Sequence, residues 1–380
     1  MPKIKVDPPF DLLMASLKSV ASRKTYAVNY RGFLKFSEMK NGQQIIDTTP
    51  KKLTEIIIGY ILQLQKEVNP NTIPTYLATV RSFLEINDID LKWKKIKKFY
   101  PDKIKISGQN AYSTEHVKKM LSVTTKLQHR ALIHFHASTG CRAGSIFYEY
   151  DKSLKRALTI GDLRDMPHGC QMVTIYRDTK DEYSTFLTPE AVIEIENFLT
   201  ARKNKGEILN NESPLFIKLN GTPMTEMDAK QIFKRIVTVA NVRGQMKNGR
   251  YPVQLVHGFR KRFNTIMKLN NSVNDNAIEK MMGHQKGLDG TYLQITDERL
   301  FEEFYKGITD LTISDEFRDK LKIRELEKAK PDDEEIITKI MPEVLIHLRK
   351  ELGLGTITND AVDILNKEQL KNLVKNFLVN

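Results

Sequence analysis

Apolar residues recur at helical spacing through most of the chain, and this periodicity is the strongest constraint on its fold. Over residues 22–36 they lie on one face of an amphipathic helix, at Tyr26, Tyr30, Phe33 and Leu34. Ser22 is the candidate N-cap of that helix. The same spacing predicts a second helix over about 51–66 and a third from Asn71, with Pro74 in its first turn. We therefore expect residues 1–90 to be all-helical.

One short segment departs from the helical pattern. Two runs typical of strands, Met172–Tyr176 and Tyr183–Leu187, flank a polar stretch, which predicts a hairpin with Lys180 near its tip. Further helices are predicted at about 114–123, 127–138, 189–202, 225–240, 255–269, 274–282 and 297–306. The expected fold class is mainly α with a small antiparallel β-sheet (α+β).

A chain of 380 residues is long enough for two domains with separate cores. We expect a helical domain at 1–90, a basic linker at 91–110, a larger domain at 111–308 and an acidic helical tail at 309–380. No apolar run approaches the about 18 residues of a membrane span, so a cytoplasmic protein is expected. The two cysteines, Cys141 and Cys170, lack the spacing of a zinc site, and we expect neither a metal nor another cofactor.

The positive charge lies in residues 1–308, and the net charge of the whole chain is +13. Residues 1–110 carry +9, residues 111–308 carry +7 and residues 309–380 carry −3. Such a basic surface favours a polyanionic partner, most simply nucleic acid, whereas the acidic tail is better suited to contact protein. The alternative is a proteome in which every protein is Lys-rich.

Two basic stretches are the candidate DNA contacts. The first lies in the linker, where lysines are interrupted by Trp93, Phe99 and Tyr100. The second surrounds the segment 257–260. The cations expected to contact phosphates are Lys92, Lys94, Lys95, Lys97, Lys98, Arg243, Lys247, Arg250, Lys261 and Arg262. A solvated linker and a solvated loop are the alternatives.

Separated motifs supply the groups that phosphodiester transfer requires, namely a nucleophile, cations for the phosphate oxygens and an acid for the leaving oxygen. In chain order they are Thr139-Gly140-Cys141-Arg142, His257-Gly258-Phe259-Arg260, Met282-Gly283-His284 and Tyr292. Arg142 follows a helix end marked by glycine, and His257 and Arg260 share one helix face. The sequence contains no GK[ST] phosphate loop and no HExxH metal motif.

With these motifs in this order, the sequence resembles the tyrosine recombinase, or integrase, family over roughly residues 15–308. The helices of the first 90 residues are similar to that family's core-binding domain. Residues 281–300 look most like archaeal and archaeal-virus integrases. The resemblance implies that Arg142 and Arg260 grip the scissile phosphate and that Lys180 protonates the departing 5′ oxygen.

The resemblance also assigns the remaining polar groups of the site. It implies that His257 assists proton removal from Tyr292 and that His284 donates a hydrogen bond to the phosphate. Tyr292 then holds the 3′ phosphate as a covalent ester, which a 5′-hydroxyl can attack without ATP. A phenol with a pKa near 10 needs such cations and a base to react at pH 7.

Two positions depart from the family pattern. The family often has an acid three residues after the first arginine, where this chain has Ser145. The spacing from His284 to the tyrosine is one residue shorter than in many bacterial members, and Leu293 stands where archaeal relatives often have a second tyrosine. Tyr305 is the fallback nucleophile, although its apolar neighbours favour a packing role.

The resemblance further implies a C-shaped clamp on double-stranded DNA and a homotetramer that exchanges strands at paired attachment-type sites. We expect a nucleoid-associated protein whose tail docks on a neighbouring protomer. A type IB topoisomerase, an inactive integrase-derived DNA-binding protein and a helical interaction scaffold remain as alternatives.

Overall fold

The computed structural model describes residues 7–104, 108–149, 155–247, 250–284 and 295–329. Met1–Ile313 form one compact unit and Ser314–Asn380 a second. Within the first unit the buried apolar side chains form two separate clusters, one between Leu13 and Ile96 and the other between Tyr112 and Ile313. Each cluster is the core of one part of that unit.

The helices among residues 7–104 surround the first cluster. They are α1 (Pro8–Ser16), α2 (Val20–Ser37), α3 (Gly42–Ile46), α4 (Pro50–Glu67), α5 (Ile73–Ile86) and α6 (Trp93–Ile96). The predicted face of α2 is confirmed, because Tyr30 and Phe33 are buried. Its N-cap is Ser19 and not Ser22: the Ser19 hydroxyl accepts the Ser22 N–H at 3.4 Å, so the helix begins three residues earlier.

The first cluster extends past the predicted boundary at residue 90. Leu91, Trp93 and Ile96 are buried in it, and the guanidinium of Arg81 lies 5.7 Å from the centroid of Trp93. The expected linker therefore begins with a folded turn, because these apolar side chains recur on one side of it. The lysines between and directly after them are all exposed: Lys92, Lys94, Lys95, Lys97 and Lys98.

The second cluster is enclosed by helices, and all of them except the short last one, which was not predicted separately, have bounds within two residues of the predictions. They are α7 (Thr114–Ser122), α8 (Leu127–Thr139), α9 (Pro189–Asn204), α10 (Glu226–Val239), α11 (His257–Leu269), α12 (Asp275–Met281), α13 (Asp297–Lys306) and the short α14 (Ile308–Leu311). Helix α8 is central, since every residue from Ala131 to Thr139 is buried. Burial lowers the pKa of His134 to about 4 and that of His136 to about 3, so both are neutral core residues.

The strands form two small antiparallel sheets. Their bounds are β1 (Phe147–Glu149), β2 (Lys155–Ala157), β3 (Leu163–Met166), β4 (Cys170–Ile175) and β5 (Tyr183–Leu187), paired as β1-β2 and β3-β4-β5. The predicted hairpin is confirmed, with Ile175 opposite Tyr183. The sequence did not predict β1, β2 or β3, because runs of three or four residues with several charges carry no clear alternation. The mainly α fold with a small antiparallel sheet is confirmed.

The second unit begins later than the predicted boundary at residue 309. Ile313 belongs to the second cluster, and its N–H donates to Oε1 of Glu190 at 2.6 Å. The following helix, α15 (Asp315–Ala329), carries ion pairs along its own surface, such as Lys320 with Glu316. No helix within the described ranges is long and apolar enough to span a membrane.

Candidate active site

Gly140 ends α8 and sets the position of Arg142. Its φ is +57°, and its N–H donates to the carbonyl of His136 at 3.1 Å, as predicted for a left-handed C-cap. A Cβ at this position would lie 2.5 Å from Cβ of Phe263, so the close packing requires glycine. Two residues later Arg142 is exposed, and its guanidinium has no ion-pair partner among the described residues. Arg142 is therefore available to phosphate oxygens.

The side chain of Ser145 bonds within the core, while its N–H donates to the carbonyl of Arg142 at 3.0 Å. It is fully buried, and its hydroxyl donates to Sγ of Cys141 at 2.9 Å. That sulfur lies 3.5 Å from Nδ1 of His136, inside the core. Burial raises the pKa of the Cys141 thiol, so the cluster is uncharged at neutral pH. The side chain of Ser145 thus packs in the core next to the turn that carries Arg142.

Arg260 lies in the first turn of α11 and joins two loops. Its side chain is 4% exposed. Nη1 donates to the carbonyl of Gly140 at 3.1 Å, and Nη2 donates to that of Met282 at 2.6 Å. Burial is the main cause that lowers the pKa of Arg260, but the ordinary value is so high that the guanidinium stays charged. The loop before Arg142 and the loop before His284 are therefore tied to one fixed cation.

His284 follows directly on the end of α12 and contacts that cation. In the turn after α12, Gly283 has a φ of +62°, and a Cβ there would lie 2.5 Å from the ring of Tyr183. Nε2 of His284 lies 2.6 Å from Nη2 of Arg260. On the other side of the ring, Nδ1 lies 2.6 Å from Oε2 of Glu279. The structure thus brings together two of the predicted site residues from separate motifs.

His257 lies one turn before Arg260 on α11 and is accessible to solvent. Partial burial lowers its pKa, and the positive charges of Lys261, Arg260 and Arg142 lower it further. Since the ordinary value is about 6.5, the imidazole is neutral at pH 7 and can accept a proton.

Lys180 lies in the turn that joins β4 and β5, as the sequence predicts, and its side chain is exposed. The next residue, Asp181, lines the cleft beside Arg142. The hairpin therefore brings a lysine-containing turn to the edge of the same site.

A cleft of about 710 Å³ opens beside Arg142. Its walls come from α2, the Arg142 loop, the hairpin turn and the start of α10, and its polar lining includes Lys24, Tyr176, Asp181 and Glu226. Burial raises the pKa of Tyr176 to about 12, so this phenol is neutral at pH 7. Lys24 is a second cation at the cleft that the sequence did not single out. Among the described residues no cluster of three or more His, Cys, Asp and Glu side chains could hold a metal ion.

One of the predicted DNA contacts is wrong. Arg262 is 1% exposed, and its Nη2 donates to Oγ1 of Thr114 at 3.1 Å and to the carbonyl of Leu311 at 3.0 Å. It lies on the side of α11 that packs against α14, where it satisfies buried polar groups and cannot reach DNA.

The other basic residues predicted to contact DNA around the segment 257–260 have different surroundings. Arg243 lies 3.9 Å from the ring centroid of Tyr251, so its guanidinium is stacked. Lys261 donates to the carbonyl of Gly108, and burial lowers its pKa. The two that remain exposed are Lys247 and Arg250. These two match the expectation of a DNA-facing loop most directly.

Tyr292 lies outside the residues that the structure describes. The described chain stops at His284, eight positions before it, and resumes at Ile295. Its role as the nucleophile therefore stays a prediction.

Glu279, which was not among the predicted site residues, is 9% exposed. Its Oε1 accepts from Nζ of Lys268 at 2.5 Å, while its Oε2 contacts His284. The available signal was an acid in the last turn of α12, five residues before the histidine.

Residues 112–288 match the model of the phage integrase family. No curated protein matches the chain by sequence.

Two solved structures are similar to the chain, each with a TM-score of 0.50. One is a lambda integrase dimer bound to a COC′ core site, 13% identical, with 76% of this chain and 96% of that chain covered. The other is the Tn1549 transposon integrase in complex with transposon right end DNA, 17% identical, with 78% and 98% covered. At these identities the likeness establishes the fold.

Proposed function

We propose that the chain, whose residues 112–288 match the model of the phage integrase family, is a tyrosine recombinase that cuts and rejoins DNA at specific sites through a 3′-phosphotyrosyl intermediate on Tyr292. The observation that carries this proposal is the convergence on Arg260. Its guanidinium contacts the carbonyls of Gly140 and Met282 and the ring of His284, which joins three motifs that are far apart in sequence.

The proposed reaction exchanges one phosphate ester for another. The phenolic oxygen of Tyr292 attacks phosphorus, and the bond from phosphorus to the 5′ oxygen breaks. His257 takes the phenolic proton, and Lys180 gives a proton to the leaving 5′ oxygen. Arg142 and Arg260 neutralise the charge that develops on the non-bridging oxygens.

The covalent intermediate makes the exchange reversible. An ester to Tyr292 retains the energy of the cleaved phosphodiester, so the 5′-hydroxyl of a second strand can attack it without ATP. Attack by the original strand restores the starting DNA. Attack by a strand from a second site exchanges partners.

We further propose that the exposed lysines of segment 92–98, with Lys247 and Arg250, hold the phosphate backbone of double-stranded DNA in a C-shaped clamp. Affinity for duplex DNA should then fall with salt by a log–log slope of about −0.9 for each phosphate contacted. Exchange at paired attachment-type sites requires several active sites at once, so we propose a homotetramer. The acidic tail is proposed to dock on a neighbouring protomer.

Capture of covalent DNA tests the proposed function. The full chain is incubated with nicked duplexes of randomised sequence, so that the short 5′-hydroxyl fragment dissociates after cleavage and the adduct cannot reverse. We expect a protein–DNA adduct that survives denaturation, and enrichment of one sequence. Captured sequences placed twice in a plasmid should recombine. Relaxation of the supercoiled plasmid without recombination would indicate a topoisomerase. If no adduct forms, the protein would be a DNA-binding protein without this activity.

The lowered pKa of His257 predicts the pH dependence of cleavage. The neutral imidazole is the form that accepts the proton, and a pKa below 6.5 means that this form already dominates at pH 6.5. The single-turnover cleavage rate should therefore change by less than about twofold from pH 6.5 to 8 and fall below this range, by about tenfold per pH unit once the ring is protonated. His257→Gln should be slower and lack this acid limb. If the acid limb persists in His257→Gln, a group other than His257 causes it.

A further inference from the structure

The carboxylate of Glu279 is nearly buried beside His284 and has no role in the reaction proposed above. Two backbone hydrogen bonds close the turn between Glu279 and His284. The N–H of His284 donates to the carbonyl of Glu279 at 2.9 Å, and the N–H of Gly283 donates to that of Lys280 at 2.9 Å, which is the Schellman end of α12. The side chains then meet between Nδ1 of His284 and Oε2 of Glu279, at 2.6 Å. Backbone and side chain together fix the ring.

The hydrogen-bond network specifies the tautomer of His284. Nη2 of Arg260 carries only hydrogens and must donate, so Nε2 of His284, at 2.6 Å, accepts. A neutral ring then carries its hydrogen on Nδ1, where it donates to the Glu279 carboxylate. Both contacts of the ring are satisfied in this arrangement alone.

A second cation pairs with the carboxylate of Glu279. Nζ of Lys268, from α11, donates to Oε1 of Glu279 at 2.5 Å. A nearly buried carboxylate without such a partner would be costly. The result is a continuous chain of contacts from Lys268 through Glu279 and His284 to Arg260.

We propose that Glu279 is a positioning residue that aims Nε2 of His284 at the phosphate held by Arg260. This inference rests on the proposed function. When a phosphate oxygen takes the place of Nε2 as the acceptor for Arg260, His284 can donate to that phosphate only if it carries a second proton. The Glu279 carboxylate stabilises the resulting imidazolium, as an acid does for the histidine of a serine protease triad.

Glu279→Gln tests the positioning role. We expect single-turnover cleavage to slow by about 10-fold to 100-fold, the usual effect of removing the partner that orients a functional histidine, with DNA affinity unchanged. In a His284→Gln background the same substitution should have no further effect. An equal slowing in both backgrounds would overturn the proposal.

Glu303→Gln is the matched control. Glu303 is 5% exposed on α13, which packs against α12, and it pairs with Lys306 at 2.7 Å and accepts the N–H of Asn274 at 2.8 Å. It is therefore as buried and as bonded as Glu279 but does not contact His284. We expect Glu303→Gln to lower stability and leave the cleavage rate of the folded protein unchanged. If Glu303→Gln slows cleavage as much as Glu279→Gln does, the effect of Glu279→Gln reflects general destabilisation and not the lost contact with His284.

Nitrogen NMR of the free protein tests the arrangement without DNA. In ¹⁵N-histidine-labelled full chain, with the signal of His284 assigned by its loss in His284→Gln, we expect the neutral ring to be protonated at Nδ1. Glu279→Gln should remove this preference. A ring protonated at Nε2 in the unchanged protein would refute the proposal, even if Glu279→Gln does not fold. If the ring has the expected tautomer but the protein does not cleave DNA, the proposed function is wrong, whereas the contact of Glu279 with His284 stands.

Discussion

Tyr292→Phe is expected to abolish the covalent protein–DNA adduct completely. The substitution removes one oxygen atom and leaves the ring, and without that oxygen no phosphotyrosyl ester can form. Binding of the same DNA should be unchanged, because the cations of the site and of segment 92–98 are intact. The measurement is the fraction of labelled nicked DNA that stays with the protein after denaturation, followed over hours.

Two other tyrosines supply the controls. Tyr305 packs with its ring centroid 4.6 Å from that of His168 and 5.9 Å from that of Phe301. Tyr176 lines the cleft beside Arg142, but burial raises its pKa to about 12 and makes it a poor nucleophile. Tyr305→Phe and Tyr176→Phe should each form the adduct. An adduct that persists in Tyr292→Phe and disappears in one of these variants would reassign the nucleophile.

The features that were predicted from sequence are those that local chemistry determines. The end of α8 at Gly140 could be predicted because a left-handed cap strongly favours glycine. The shared helix of His257 and Arg260 follows from their spacing alone. The order of the motifs then indicated which distant residues belong to one site, and the contact of Arg260 with His284 agrees with that order.

The features that were missed depend on packing between distant segments. Arg262 is basic and adjoins the HGFR motif, and only the contact of α11 with α14 shows that it is buried. Trp93 lies among exposed lysines, yet it closes the first cluster. Glu279 resembles any helical surface acid until α11 brings Lys268 against it. Periodicity describes one helix at a time, so it cannot show which face a second helix covers.

Arg260→Lys is expected to slow single-turnover cleavage by about 10²-fold to 10³-fold, the usual effect of losing one preorganised donor to a developing oxyanion. Arginine spans the carbonyls of Gly140 and Met282 with separate nitrogens while it remains a planar fork for phosphate. Lysine keeps the charge but has all its donors on one nitrogen, so it cannot hold both loops and the phosphate together.

Arg262→Lys is the matched control for this substitution, two residues along the same helix. Arg262 is at least as buried as Arg260 and also donates to a backbone carbonyl, that of Leu311, but it faces the core. Its replacement should therefore lower the urea midpoint and leave the cleavage rate of the folded protein unchanged. Arg260→Lys should lower the rate more than it lowers stability. If both variants lose rate and stability in the same proportion, the effect of Arg260 is structural and the phosphate must be held elsewhere.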